Sequence, residues 1–219
     1  MSRILEPLLP TLLSERRIPN ASEGLLTSYG ADPSRHVALG LVTCDQDDSL
    51  FVALDEATKH ADVDVVFARS FWAGAGVASG PLSGEILGVL ASSDPAEIDE
   101  GLRAVRRCLE HDACFYGADA DGATAVFPHV ITSLGRYLSA EAGLQPGEPM
   151  AYLVAPPIEG TVALDAALKA ADVRAVKVFA PPTETNFAGA WLAGSLPDCE
   201  AAAMAYAEMV VEVARAPRG

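Results

Sequence analysis

Apolar positions along the chain fall into two matching series. Val37–Val42 and Met150–Ala155 are unbroken apolar runs of strand length and read as buried strands. After each run, Ala and Val recur at helical spacing, with Asp55 or Asp165 at the start of the segment and Lys59 or Lys169 in its last turn. Acid first and base last suits the helix dipole, so the pattern predicts a helix beginning at each aspartate. A second strand follows (Val63–Ala68; Arg174–Ala180), then a loop, then a third strand (Ile86–Ser92; Ala188–Gly194). Pro95-Ala96-Glu97 and Pro197-Asp198-Cys199-Glu200 open a second helix in each series, proline being tolerated in a first turn. The last helix, Cys199–Ala214, gathers Ala203, Met204, Ala207, Val210, Val211 and Ala214 on one side. Each series therefore predicts β-α-β-β-α, an α/β sandwich whose helices cover one face of a small antiparallel or mixed sheet.

The two series are copies of one another. Val52–Val63 and Val162–Val173 agree at nine of twelve positions at an offset of 110, with Asp, Lys and Asp in register. Gly30-x-x-Pro33 matches Gly143-x-x-Pro146 at offset 113, and Leu90–Ser93 matches Leu192–Ser195 at offset 102. The fall from 110 to 102 puts surplus residues in the first copy between Arg69 and Glu85, a stretch rich in Gly, Ala and Ser. A fused duplication, residues 1–111 and 112–219, accounts for 219 residues better than one large domain.

Charge narrows the partners. Fifteen Lys and Arg against 30 Asp and Glu leave a net −15, with a sequence pI near 4.5. Clustered cations are confined to Arg16-Arg17 and Arg106-Arg107, which argues against nucleic acid and against an anionic membrane surface. Half the residues are apolar and the mean hydropathy is +0.23, which suits a folded chain with apolar surface shared between subunits. No run of 18 uncharged apolar residues is present, and Ile4–Pro10 carries a glutamate and two prolines where a signal peptide needs an unbroken apolar core. A cytoplasmic location is the expectation.

Motifs that invite an enzymatic reading do not complete themselves. Gly74-Ala75-Gly76-Val77-Ala78-Ser79-Gly80 lacks the G-x-G-x-x-G spacing and has no following Lys-Ser/Thr, so it reads as a glycine-permitted loop, not a phosphate cradle. His111-Asp112-Ala113-Cys114 has no second ligand pair at zinc spacing, and Ser133, His129 and Asp119 form no nucleophile motif. Cys44, Cys108 and Cys199 read as small core residues. No cofactor and no metal is expected. Asp45, Asp47 and Asp48 after the first strand, with Glu85 before a later one, are open to turn chemistry, an acid–base or metal pair, or a rim attracting cations; for Asp45 and Asp48 turn chemistry is the expectation.

Asp165–Val173 resembles the first-helix motif of bacterial microcompartment (BMC) shell domains, whose edge lysine precedes a short Ala-rich turn. Two copies per chain resemble the fused, circularly permuted shell proteins. The likeness narrows to the ethanolamine-utilisation branch through Asp55–Lys59, Tyr137-Leu138-Ser139, Met150–Pro157 and Pro181–Asn186. It covers nearly the whole chain from about Gly40, while the first 35 residues match poorly.

The resemblance implies a shell building block: a homotrimer that mimics a hexamer, tiles with other shell proteins, and passes small amine or aldehyde metabolites through small pores and a gated central pore. It gives Lys59 and Lys169 a place at the lateral edge, against the alternative of ordinary solvated lysines. It makes Arg69–Ser79 and Pro181–Asn186 the central-pore loops, naming Arg69, Phe71, Trp72, Gly74, Gly76, Thr183, Glu184 and Asn186; the two aromatics are equally open to a core role. It puts Asp47 and Glu85 in a small pore with Phe115, where carboxylates and a ring suit a small ammonium such as ethanolamine. The rival from another class is a cytoplasmic metabolite-binding regulator of duplicated α/β fold, and an enzyme using the carboxylate cluster ranks third.

Overall fold

The computed structural model describes residues 5–70, 86–120, 123–181 and 187–218. It divides into two compact units, an N-terminal unit of Pro10–Ala113 with Gly135–Leu138, and a C-terminal unit of Met1–Leu9, Cys114–Leu134 and Ser139–Gly219. Strand β1 (Pro7–Leu8) belongs to the C-terminal unit. The N-terminal unit runs β2 (Leu12–Ile18), α1 (Glu23–Ser28), β3 (Ala38–Cys44), α2 (Asp47–His60), β4 (Asp64–Ser70), β5 (Ile86–Ser92) and α3 (Pro95–His111). From there the chain continues through β6 (Phe115–Gly117), β7 (Ala125–Ile131), α4 (Arg136–Ala142), β8 (Met150–Ala155), α5 (Pro157–Ala170), β9 (Arg174–Phe179), β10 (Ala188–Ala193) and α6 (Leu196–Arg215).

In the N-terminal unit four strands pair in the order β2-β3-β5-β4, every pair antiparallel. Strand alternation divides β3 and β5 between two faces. Leu39, Val89 and Ala91 face a cluster completed by Leu26 of α1. The other face meets α2 and α3. There Gly40 has no side chain because a Cβ would lie 2.8 Å from Ile98 and 3.3 Å from Leu102 of α3. Helix α3 starts cleanly: Asp94 accepts the Ala96 N–H, and Pro95 occupies the first turn.

Among the described residues the C-terminal unit has six strands in the order β1-β6-β7-β8-β10-β9, again all antiparallel. One face of β8 and β10 (Ala151, Leu153, Ala190, Leu192) packs on Ala163 and Ala167 of α5 and on Tyr206 and Val210 of α6. Alanines on both sides let helix and sheet approach closely. On the other face Phe127, Tyr152, Trp191 and Phe179 form a chain of ring contacts at 5.3–5.4 Å. The Lys177 ammonium sits 4.6 Å over Trp191.

The β-α-β-β-α order holds in both units, and β5 and β8 have the bounds the apolar runs predict. The first-helix starts need correcting. Helix α2 begins at Asp47 and α5 at Pro157, so Asp55 and Asp165 lie deep inside their helices. Their side chains serve other purposes, described below. Strands β1, β2, β6 and β7 and helices α1 and α4 are additions to the pattern that apolar periodicity predicts.

Candidate functional site

The acidic stretch after β3 becomes the first turn of α2. Asp45 stays outside the helix and accepts the Thr11 N–H at 2.6 Å, tying β2 to the strand end. Asp47 and Asp48 enter the first turn, where the helix dipole favours acids. Asp47 is buried; it accepts the Ser70 hydroxyl at 2.6 Å and the Asp48 N–H at 2.9 Å. Burial pushes its carboxyl above the ordinary 3.8, with those hydrogen bonds pulling partly back. Ser70 ends β4 and pairs with Ile86, which also pairs with Cys44. Asp47, Ser70 and Ile86 therefore share one end of the four-stranded sheet.

A second polar constellation has no counterpart in the sequence motifs. Asp55, in the middle of α2 and 1% exposed, accepts the backbone N–H groups of Gly135 at 2.6 Å and Leu138 at 2.8 Å. The Thr58 hydroxyl accepts the Arg136 N–H at 2.9 Å. In return the Arg136 guanidinium donates to the carbonyls of Thr58 at 2.6 Å and Val63 at 2.8 Å, at the end of α2 and just beyond. An acid thus caps the start of α4, and a base caps the end of α2. Gly135 is required here, since a Cβ would lie 2.5 Å from the Asp55 carbonyl and the Thr58 hydroxyl. Burial holds the Asp55 carboxyl above its ordinary range.

Two cavities occupy repeat-equivalent places. One of about 270 Å³ is lined by Arg35, His36, Asp62, Asp64 and Ala91–Ser93. The other, of about 500 Å³, is lined by Glu148, Asp172, Arg174 and Ala193–Ser195 among others. In the first, Arg35 and His36 each lie 3.1 Å from the Asp64 carboxylate. His36 Nδ1 accepts the Asp32 N–H, so the opposite nitrogen, Nε2, carries the proton toward Asp64.

Asp119 spends both oxygens on the N–H groups of Ala123 and Thr124, and His129 stacks on Phe127. The four cysteines are buried free thiols, with burial pushing Cys44 and Cys108 up to about 12. Among the described residues no group of three or more His, Cys, Asp or Glu is arranged to hold a metal ion. Nor is any helix among them long and apolar enough to cross a membrane.

No family model matches the chain. Relatives and solved structures do. A Clostridium perfringens protein named bacterial microcompartment shell protein EutL is 50% identical over 210 residues, 96% of each chain. The Salmonella typhimurium protein of the same name is 42% identical over 97% of each. The crystal structure of EutL from Clostridium perfringens superposes with a TM-score of 0.95 at 48% identity, covering 100% of this chain and 98% of that one. The chain belongs to the EutL family of bacterial microcompartment shell proteins.

It is a structural shell protein of tandem BMC-domain fold, and other shell components are its partners. The trimeric shell protein PduB, 18% identical with a TM-score of 0.77, shares the fold. In this EutL-family chain the positions expected from sequence are distributed as follows. Phe71, Trp72, Gly74, Gly76, Glu85, Thr183, Glu184 and Asn186 lie outside the described residues. Arg69 is a strand residue of β4 paired with Leu87, its guanidinium 5.9 Å from the Phe67 ring centre. Phe115 starts β6 in the C-terminal unit; it is buried, with its ring against Phe127 and Phe187. Asp47 belongs to the N-terminal unit. Lys59 pairs with Glu56 one turn back, and Lys169 reaches Asp165 at 2.5 Å. The clamp of Asp55, Thr58, Gly135 and Arg136 escapes sequence reasoning because its halves lie about 80 residues apart. The one available signal was Asp55 itself, an acid in the middle of an amphipathic segment.

Proposed function

We propose that three copies of this chain form a ring of six domains that tiles with other shell proteins into a microcompartment facet. The observation that supports this best is the doubled architecture in a chain similar to EutL proteins over nearly its whole length. The domains are residues 1–111 and 112–219. Each contributes an antiparallel sheet with two long helices, so three chains supply six nearly equivalent wedges. The reading gives the chain no enzymatic role and no cofactor.

Lys59 and Lys169 occupy the lateral edge, where a long stem lies along a neighbouring trimer and the ammonium reaches a carbonyl. The segments around Arg69, Phe71, Trp72, Gly74 and Gly76, and around Thr183, Glu184 and Asn186, frame a gated central pore. Asp47, Glu85 and Phe115 serve a small pore for small amines or aldehydes. Ethanolamine is the amine to try, because a relative from Leptotrichia buccalis, 44% identical, is named an ethanolamine utilization protein. An ammonium beside Asp47 would favour its anionic form against the burial that opposes it.

Three measurements test this reading. Light scattering on the purified chain should give three times 22.8 kDa, and electron microscopy should show extended sheets. A monomer or dimer that binds a metabolite tightly would favour the regulatory reading instead. Titration calorimetry with ethanolamine should give weak binding that Glu85→Ala abolishes; identical heats for the two proteins would remove Glu85 from the pore.

A further inference from the structure

The two first helices, α2 and α5, are 14 residues each and align without a gap at offset 110. Equivalent positions nevertheless meet different surroundings. On α2, Asp48, Val52, Asp55 and Thr58 are all buried, 1–6% exposed. On α5, their equivalents Ile158, Val162 and Leu168 are 66%, 42% and 38% exposed, and the Asp165 side chain is 67% exposed. The α2 face is engaged by Gly135–Leu138 at the start of α4. The α5 face is more apolar yet stands open, the reverse of what solvent exposure favours.

The repeat also identifies what fits there. Helix α4 has its own counterpart in α1 at offset 113. Gly30 and Gly143 end the two helices with positive φ, 80° and 66°. The Ala31 N–H reaches the Leu26 carbonyl at 2.9 Å, and the Leu144 N–H reaches the Ser139 carbonyl at 2.9 Å. The counterpart of Gly135–Leu138 is therefore Ser22–Leu25, in which Ser22, Glu23 and Gly24 are exposed. We infer that the first turn of α1 in one chain docks on the open α5 face of a second copy, with Asp165 accepting the Ser22 N–H as Asp55 accepts that of Gly135; the Leu25 N–H, counterpart of that of Leu138, already reaches the Ser22 carbonyl at 3.0 Å. The inference rests on the ring proposed above and specifies its chain-to-chain contact: Gly135–Leu138 engage α2 within a chain, and Ser22–Leu25 of a neighbour engage α5. The contact differs from the clamp in one respect. Glu23 stands where Arg136 stands, so the arginine arm is missing and burial of Ile158, Val162 and Leu168 replaces it.

The test is a cysteine pair, Gly24→Cys with Leu168→Cys, oxidised and run on a non-reducing gel, beside the single variant Leu168→Asp. Both sites are on the surface of the chain, and circular dichroism checks that each variant folds. The contact predicts a disulfide between chains that closes at three chains, and it predicts that Leu168→Asp lowers the mass in solution from that of three chains to that of one. A wild-type trimer in which the pair fails to cross-link and Leu168→Asp leaves the mass unchanged would overturn the contact and leave the trimer standing. A wild-type chain that runs as a monomer would overturn the trimer itself.

Discussion

Asp55→Ala should be among the most destabilising single substitutions in the N-terminal unit. The change strips the acceptor from two backbone N–H groups, those of Gly135 and Leu138, next to a carboxylate that is 1% exposed. A buried donor left without a partner costs about 1–3 kcal/mol. Part of that is offset, because removing the carboxylate also removes the desolvation that raises its pKa. The net expectation is a loss of about 2–4 kcal/mol. Arg136→Ala removes charged donors from the Thr58 and Val63 carbonyls, worth about 1.5–3 kcal/mol. Both side chains hold the same short segment against α2, so the double variant should lose less than the two singles added together. Asp55→Asn, which keeps one acceptor oxygen, should recover part of the Asp55→Ala loss. Urea unfolding followed by circular dichroism, at one protein concentration because assembly contributes to stability, reads all four variants. Single losses below about 0.5 kcal/mol, the range of ordinary surface substitutions, or strict additivity in the double variant, would refute the clamp.

Asp47→Asn should stabilise the chain, and the gain should depend on pH. Burial raises the folded-state pKa of Asp47 above 3.8, so its contribution is fully present below that value and is lost as pH rises through the raised one. The melting temperature of Asp47→Asn should therefore pull ahead of wild type as pH rises above about 4; a gap that is constant or widest in acid would contradict the assignment. Lys59→Ala with Lys169→Ala should leave the trimer intact: Lys59 pairs with Glu56 and Lys169 with Asp165, each on its own helix. The same double variant should abolish two-dimensional sheets in electron micrographs, and normal sheets would sink the edge role.

What could be read from the sequence was whatever repeats or runs apolar without interruption. Strands β5 and β8 are buried along nearly their whole length, so their residues are apolar without gaps and their bounds are visible. Strand β2 reads Leu-Leu-Ser-Glu-Arg-Arg-Ile, and it hides because it is an edge strand, paired among the described residues with β3 alone and half-buried along most of its length, so polar residues are tolerated. Strand β7 carries Pro128, which argues against a strand. The proline is tolerated because β6 pairs only with Ala125 and Val126, leaving that side of Pro128 without a partner in the sheet. The helix starts were misplaced because Asp is a strong N-terminal signal whose oxygens can equally serve a distant segment, as Asp55 does. The carboxylates are visible in the sequence as a cluster, but the partners of each are not: Asp45 ties down a strand end and Asp47 is buried beside Ser70, a residue 23 positions away.

The differences between the copies say more about assembly than the identities do. At offset 113 Arg35 becomes Glu148, and at offset 110 Asp64 becomes Arg174, so the equivalent cavities carry the same two charges with their places exchanged. At offset 110 the buried Asp48 and Thr58 become the exposed Ile158 and Leu168. Two identical copies could pair copy one with copy one as readily as with copy two, and such pairing gives rings of unspecified order or open chains. A surface complementary to one cavity meets reversed charges in the other. A segment suited to the polar, clamped face of α2 meets apolar side chains on α5. At the α2 and α5 faces that difference disfavours the wrong pairing, the repulsive half of specificity. In the proposed ring of three fused chains, a contact that accepts α5 and rejects α2 sets one copy of each chain against the other copy of its neighbour.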